Sequence, residues 1–340
     1  MYQTLIRPLL FQLDPETAHD LFRAVGRISG SLPLAKLIDR LPSPTWSRAS
    51  NLIREVGGIK FPNSVGLAAG FDKNCELVPI LSRLGFGAIE LGTVTLKPQA
   101  GNPRPRIFRL PQHQAIINRM GFPSLGVETF LRNLALTRER LTNLPIFGVN
   151  IGKNKDTPLE EAWKEYRSLA ERVAPLADYI VVNVSSPNTP ALRALQHGEE
   201  LRRIIGGVRD AAGTKPVFLK IAPDLTEPEV LDIVNSCISE GANGIIATNT
   251  TLTRPAPIVS EEAGGLSGSP IFSISKGIVE SVGRISAGRL GVIASGGINS
   301  PQRASEMFAI GANIVQIYSA LIYSGSGLIK EICLAGERNE

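Results

Sequence analysis

Side chains able to grip a small planar ligand recur in this 340-residue chain at one kind of place, the end of a short apolar run. The run "VGLAAG" (65–70) leads to Lys73, "AIELGTV" (88–94) contains Thr93, and "IFGVNIG" (146–152) contains Asn150. "YIVVNVS" (179–185) contains Asn183 and runs into Ser186 and Asn188, and "PVFLKIA" (216–222) contains Lys220. "GIIATNT" (244–250) ends in Thr248, Asn249 and Thr250, "GVIASGG" (291–297) in Gly296 and Gly297, and "NIVQIYS" (313–319) in Tyr318 and Ser319. Asparagine carries both an amide donor and a carbonyl acceptor. Several of them converging suit a flat, neutral, imide-like ring with alternating N–H and C=O edges. Two lysines add positive charge for an anion, or for charge that develops during a reaction.

The same residues weigh against other chemistries. No pair of carboxylates accompanies them, and Asp72 reads as the only acid near these ends, which disfavours glycosidase-type catalysis. Neither Ser185 nor Ser186 sits in a Gly-x-Ser-x-Gly elbow. His197 follows Ser186 by eleven positions with no obvious acid to orient it, so a triad hydrolase is a minor reading. A serine hydroxyl can instead take a carbon-bound proton, given a rigidly held substrate and help from its neighbours. Three glycine- and serine-rich stretches, "GGLSG" (264–268), "SGGI" (295–298) and "YSA" (318–320), expose small residues and backbone N–H groups late in the chain, as a phosphate grip requires. A phosphate grip, an imide-reading wall and Lys220 together point to flavin mononucleotide, because a lysine at one edge of the isoalloxazine stabilises the anionic reduced ring.

Eight short runs alternating with amphipathic stretches such as 158–173, 199–212, 227–240 and 301–310 predict parallel pairing. Eight units over this length predict an α/β fold, a (β/α)8 TIM barrel with its active site at the C-terminal strand ends. The segment 95–145 is too long for a plain crossover and predicts an inserted hairpin or lid carrying "PRPRIFRL" and "INRMGFPS". The rival, an open doubly wound sheet, would need a Gly-x-Gly-x-x-Gly turn, which "GLAAGFDK" is not. Residues 1–45 form a separate helical extension by pattern, ahead of a barrel domain over 46–340. Leu5, Ile6, Leu9, Leu10 and Leu13 recur at helical spacing, Asp14-Pro15-Glu16 marks a helix start, and Ala18, Leu21, Phe22, Val25 and Ile28 make a second apolar face. A third, shorter face comprises Leu34, Leu37 and Ile38, and "LPSPTW" (41–46) reads as a linker. Such helices either lie on a membrane surface or cap the bottom of the barrel.

Composition is that of a globular chain, 43% hydrophobic and 20% charged with net charge +5. The excess charge mildly favours anionic ligands or lipid headgroups. Without a Lys/Arg block interleaved with aromatics, no nucleic-acid partner is expected. Cys75, Cys237 and Cys333 form no CxxC pair, and His19, His113 and His197 lack ligand spacing, so no metal and no disulfide frame are expected. No apolar run reaches the ~20 residues of a membrane span, and no signal-peptide core is visible.

Taken in order, "GLAAGFDKNCE" (66–76), "IELGTVT" (89–95), "INRMGF" (117–122), "GVNIGKNKDT" (148–157), "VNVSSPNTPALRALQ" (182–196), "LKIAPDL" (219–225), "ATNTTLTR" (247–254), "GGLSG" (264–268) and "VQIYSALIY" (315–323) resemble the quinone-dependent class of the dihydroorotate dehydrogenase family, as does "LFQLDPETAHDL" near the start. The resemblance implies an FMN enzyme of pyrimidine biosynthesis that oxidises (S)-dihydroorotate to orotate and passes the electrons to a membrane quinone. It implies Ser186 as the base for the C5 proton, with the C6 hydride going to flavin N5. It implies flavin contacts from Ala69, Gly70, Lys73, Thr93, Asn150, Asn183, Lys220, Thr248, Gly268, Gly297, Tyr318 and Ser319. Orotate would be read by Lys73, Asn118, Arg119, Met120, Gly121, Phe122, Asn183, Asn188, Asn249 and Thr250, and His19 and Arg109 would meet the quinone head. The N-terminal helices become a quinone access route docked on the cytoplasmic side of a bacterial inner membrane. Another flavin barrel, of the tRNA dihydrouridine synthase kind, would carry a cysteine where Ser186 stands. Phe71, Cys75 and "GFPS" (121–124) depart from the family's usual residues without removing a proposed ligand.

Overall fold

The computed structural model describes residues 2–41 and 44–336. Its centre is a closed barrel of eight parallel strands. They are β1 (Val65–Leu67), β2 (Ala88–Val94), β3 (Ile146–Ile151), β4 (Tyr179–Asn183), β5 (Val217–Ile221), β6 (Gly244–Ala247), β7 (Gly291–Ser295) and β8 (Ile314–Ile317). Each strand pairs with the next in chain order and β8 closes on β1, with Gln316 opposite Gly66. This is the (β/α)8 barrel the alternation predicts. The open-sheet alternative falls with the closure.

Most strands end sooner than the apolar runs suggest: β6 stops at Ala247 rather than 250, and β8 at Ile317 rather than 319. Past these points the backbone leaves the ladder, and the polar residues that follow belong to loops. Apolarity extends beyond pairing because the loop bases are themselves buried.

The barrel interior is layered by the two-residue period of its strands. Ala88, Tyr179, Val181, Phe218, Ile246, Ile293 and Ile314 form an apolar bottom layer together with Val56, Ile59 and Phe61. Those last three come from a hairpin, Arg54–Val56 paired antiparallel with Ile59–Phe61, that plugs the base. Two residues above the bottom layer the same strands carry Glu90, Asn183, Lys220, Ser295 and Gln316, with Thr248 just past the end of β6, all buried. On β3 the pair is Gly148 and Asn150; a Cβ at Gly148 would lie 2.2 Å from the Tyr179 ring, so glycine there makes room for that ring.

The N-terminal segment folds as a π-helical stretch (Tyr2–Ile6) followed by α1 (Arg7–Gln12), α2 (Pro15–Ser29) and α3 (Leu32–Arg40). Asp14 caps α2, its Oδ1 accepting from the N–H groups of Glu16 and Thr17 at 3.0 Å each. Polar contacts hold α2 to the segments that follow β1 and β2, Arg104 reaching Glu16 and Asp20 at 3.1 and 3.0 Å among them. Arg106 donates to buried Glu16 at 2.8 Å, Arg23 to Glu76 at 2.7 Å, and His19 Nε2 lies 2.8 Å from the Phe71 carbonyl. The helices therefore sit at the C-terminal end of the barrel. The reading of them as a bottom cap is corrected: the Arg54–Phe61 hairpin does that work, and its strands were too short to register as periodic.

The insertion between β2 and β3 contains the expected hairpin, Ile107–Leu110 paired with Ala115–Asn118, and then a helix, Val127–Arg140. Its inner strand pairs on the other side with Gly265–Gly268, Gly265 facing Asn118. "GGLSG" is thus a strand of a three-stranded sheet as well as a candidate phosphate wall.

Candidate active site

A cavity of about 640 Å³ lies over the polar layer and continues upward between α2 and the barrel. Its lining includes Ala69, Gly70, Lys73, Thr93, Asn118, Met120, Gly121, Phe122, Asn183, Ser186, Asn188, Lys220, Thr248, Asn249, Thr250, Gly268, Gly297, Tyr318 and Ser319, and at the upper end His19 and Arg109. Of the residues expected at the site, two stand off the wall. Asn150 is fully buried beneath it: its Oδ1 accepts from Thr93 Oγ1 at 2.6 Å and from Asn183 Nδ2 at 3.0 Å. Arg119 turns away to Glu262 at 2.6 Å and stacks its guanidinium over Phe108, so its neighbours Asn118 and Met120, not its own side chain, reach the cavity.

The asparagines organise one another. Asn249 Nδ2 donates to Ser185 Oγ at 3.0 Å, and Ser185 Oγ donates to Asn183 Oδ1 at 3.2 Å. Asn188 Nδ2 donates to Asn118 Oδ1 at 3.2 Å, tying the loop after β4 to the inserted hairpin. Ser186 Oγ accepts from the Asn188 N–H at 3.3 Å and faces the cavity, whereas Ser185 is spent on the network. Arg193 clamps this wall from behind, donating to the carbonyls of Ser185 and Thr250 at 3.0 and 2.8 Å. Thr250 Oγ1 on the wall and Gln316 Oε1 on the floor are buried with no partner in the protein, unmet hydrogen bonding of the kind a polar ligand satisfies.

Charge is set by burial. Lys73, held to the Gly70 carbonyl, is lowered to about 8 by burial, with Arg23 and Arg106 adding repulsion. It keeps its proton at neutral pH. His19 is lowered to about 4 by burial and then by the charge of Lys73. The imidazole is neutral, and its approach to the Phe71 carbonyl requires the proton on Nε2. Burial pushes the Tyr318 phenol up to about 12. Asp72 is raised to about 6 by burial, against the N–H groups of Glu76 and Leu77 that it caps at 2.9 and 2.8 Å.

Asp72 is not the only acid at this end, and that expectation is corrected. Glu90 lies at the barrel centre with no solvent exposure. It accepts from Asn150 Nδ2 at 2.6 Å, Lys220 Nζ at 3.0 Å and Gln316 Nε2 at 2.6 Å. The signal was present: a glutamate inside a strand buried on both faces has to be paired. Gln316, inside "NIVQIYS", carries the same signal.

The opposite end of the cavity suits a phosphate. Ser295 to Asn299, Ser267 to Ser269 and Ser319 line it, and Ser267 and Ser319 share a hydroxyl contact of 2.9 Å. Gly296 and Gly297 take φ of 130° and 71°, conformations that favour glycine and let the loop backbone approach a ligand closely. Among the described residues no helix is long and apolar enough to cross a membrane. All three cysteines are buried thiols.

A closed parallel barrel whose C-terminal rim gathers lysines, asparagines and a glycine-lined loop around one cavity has the architecture of a (β/α)8 enzyme. Comparison with known proteins narrows this. The profile of the dihydroorotate dehydrogenase family matches residues 51–335. A protein of Marinomonas sp. named dihydroorotate dehydrogenase (quinone) is 46% identical over 342 residues, 97% of this chain and 95% of that protein. One of the same name from Azotobacter vinelandii is 44% identical over 351 residues, 98% of each. The crystal structure of an Eimeria tenella DHODH in complex with ferulenol superposes with a TM-score of 0.85 at 36% identity, covering 96% of this chain and 93% of that one. The chain belongs to the dihydroorotate dehydrogenase family and is an oxidoreductase.

Proposed function

We propose that this chain oxidises (S)-dihydroorotate to orotate in pyrimidine biosynthesis, with FMN as prosthetic group and a membrane quinone as the final acceptor. The observation that carries the reading is that Ser186, Lys220, Lys73 and the asparagines, drawn from five different strand ends, line one cavity that also opens onto His19 and Arg109.

The groups present fit FMN: a glycine-turned loop for the phosphate, Thr93, Asn183 and Thr248 along the polar layer, and Lys220 rising from it. FMN, when bound, supplies a two-electron acceptor at N5 for the C6 hydride and returns the electrons to the quinone. Every other role falls to this chain. Lys73 faces the carboxylate of a bound dihydroorotate, and Asn118, Asn188, Asn249 and Thr250 read its imide edge. Ser186 Oγ takes the proton from C5 while that ring is held. The balance is two electrons and two protons from C5 and C6, ending on the quinone as quinol. Phe122 and Met120 exclude water from one side. Neutral His19 and cationic Arg109 meet the quinone head. Residues 1–45 serve as its access route and dock on the cytoplasmic face of a bacterial inner membrane, with 46–340 as the catalytic barrel. Exposed Leu5, Leu9, Leu21, Ile28 and Leu37 support that docking.

Anaerobic mixing with dihydroorotate should bleach the flavin absorption, and a short-tailed ubiquinone added afterwards should restore it while NAD does not. A colourless protein, or recovery with NAD alone, would overturn the reading.

A further inference from the structure

The polar layer beneath the cavity contains a carboxylate that the reaction itself does not use. Glu90 is wholly buried, and donors from three other strands converge on it: Asn150 from β3 and Lys220 from β5 on Oε1, Gln316 from β8 on Oε2. A leucine would satisfy strand packing there, and an unpaired buried carboxylate is costly, so the charge itself has a use. Two further bonds that Asn150 Oδ1 accepts, from Thr93 and Asn183, carry the same scaffold up to two cavity-lining side chains. Lys220 lines the cavity above while its ammonium is anchored to the carboxylate below.

Resting on the flavin reading above, we propose that Glu90 is a positioning residue that fixes the direction of the Lys220 ammonium and offsets its charge, and so sets the reduction potential of the flavin seated over it. The physical reason is the sign of the local field. Lysine alone favours added electrons on the ring; the lysine–glutamate pair favours them less, which keeps the reduced flavin a good enough donor to pass electrons on to quinone. Because the pair is buried, that offset is screened much less by salt than a surface pair would be.

The experiment compares Glu90→Gln with Glu90→Gln/Lys220→Gln in the full-length flavoprotein. Bleaching of wild-type flavin by dihydroorotate is scored first and bears only on the reading of the previous subsection. The flavin midpoint potentials then bear on Glu90. Glu90→Gln leaves the ammonium uncompensated and should raise the two-electron potential by at least about 30 mV, a tenfold shift in the equilibrium. Reoxidation by quinone should slow while bleaching by dihydroorotate does not. The double variant, neutral again, should return to the wild-type potential or below it. An unshifted Glu90→Gln, or a double variant as high as the single one, would overturn the proposal. Should Glu90→Gln fail to retain flavin, retention restored in the double variant supports charge compensation, and loss in both overturns it.

Discussion

Ser185 and Ser186 are adjacent, both buried, and chemically alike, yet their surroundings part them. Ser185 Oγ is engaged by Asn183 and Asn249, whereas Ser186 Oγ accepts a single backbone N–H and faces the cavity. Ser186→Ala should therefore retain flavin and slow its bleaching by dihydroorotate about 100- to 10,000-fold, the range for loss of a general base. Ser185→Ala should be far milder, and normal bleaching in Ser186→Ala would remove the base assignment. His19 supports a prediction about pH. Its folded value of about 4 lies below the 6.5 of the free side chain, so between these limits the unfolded chain binds more protons. The stability held in neutral His19 is complete above pH 6.5 and is lost as the pH falls toward 4. Asp72, raised to about 6, acts with the opposite sign over part of that window. The melting temperature of wild type minus that of His19→Gln should consequently shrink between pH 6.5 and 4, and a difference flat in pH would refute the assignment.

At the scale of elements, α2 is joined to the inserted hairpin through a buried ion pair. Glu16 and Arg106 are both nearly excluded from solvent, with Nη2 at 2.8 Å and Nε at 3.0 Å from Oε1. Removing one partner of such a pair strands the other, at a cost of about 3–5 kcal/mol. Glu16→Ala should lower stability by that order in urea titration. It should also expose α2 and α3 to limited proteolysis before the barrel unfolds. Equal protease resistance in the variant would mean that α2 is held by its apolar face alone. The same logic explains why the hairpin strand Ala115–Asn118 tolerates a glycine-rich neighbour: Gly265–Gly268 is paired along its full length, and its register puts Gly268 at the cavity.

Across the whole molecule, the apolar side chains of the N-terminal segment point two ways. Phe22 and Ala18 face the cavity, while Leu5, Leu9 and Ile28 are 63%, 66% and 62% exposed. A lipid surface would cover the second set, each large side chain contributing about 1.5–3 kcal/mol on burial. Replacing Leu9 and Ile28 together by Glu should weaken binding to anionic phospholipid vesicles at least about tenfold. Turnover with long-tailed quinone should fall while anaerobic bleaching stays unchanged. Undiminished vesicle flotation would end the docking proposal.

The barrel was legible in the amino-acid order because strands buried on both faces must be apolar throughout, and eight such runs spaced by amphipathic helices close in only one common way. The polar ends of those runs were legible for the same reason: Lys220 or Asn183 in a fully buried strand has no packing role. What stayed hidden depended on partners distant along the chain. Glu90 and Gln316 lie 226 positions apart and meet only when β8 closes beside β1. Arg119 and Asn150 have the composition of site residues, and only tertiary packing turned the first outward and sank the second below the floor. The side of the barrel on which the N-terminal helices dock was likewise decided by ion pairs, since an apolar helical face records that it is to be covered but not by what.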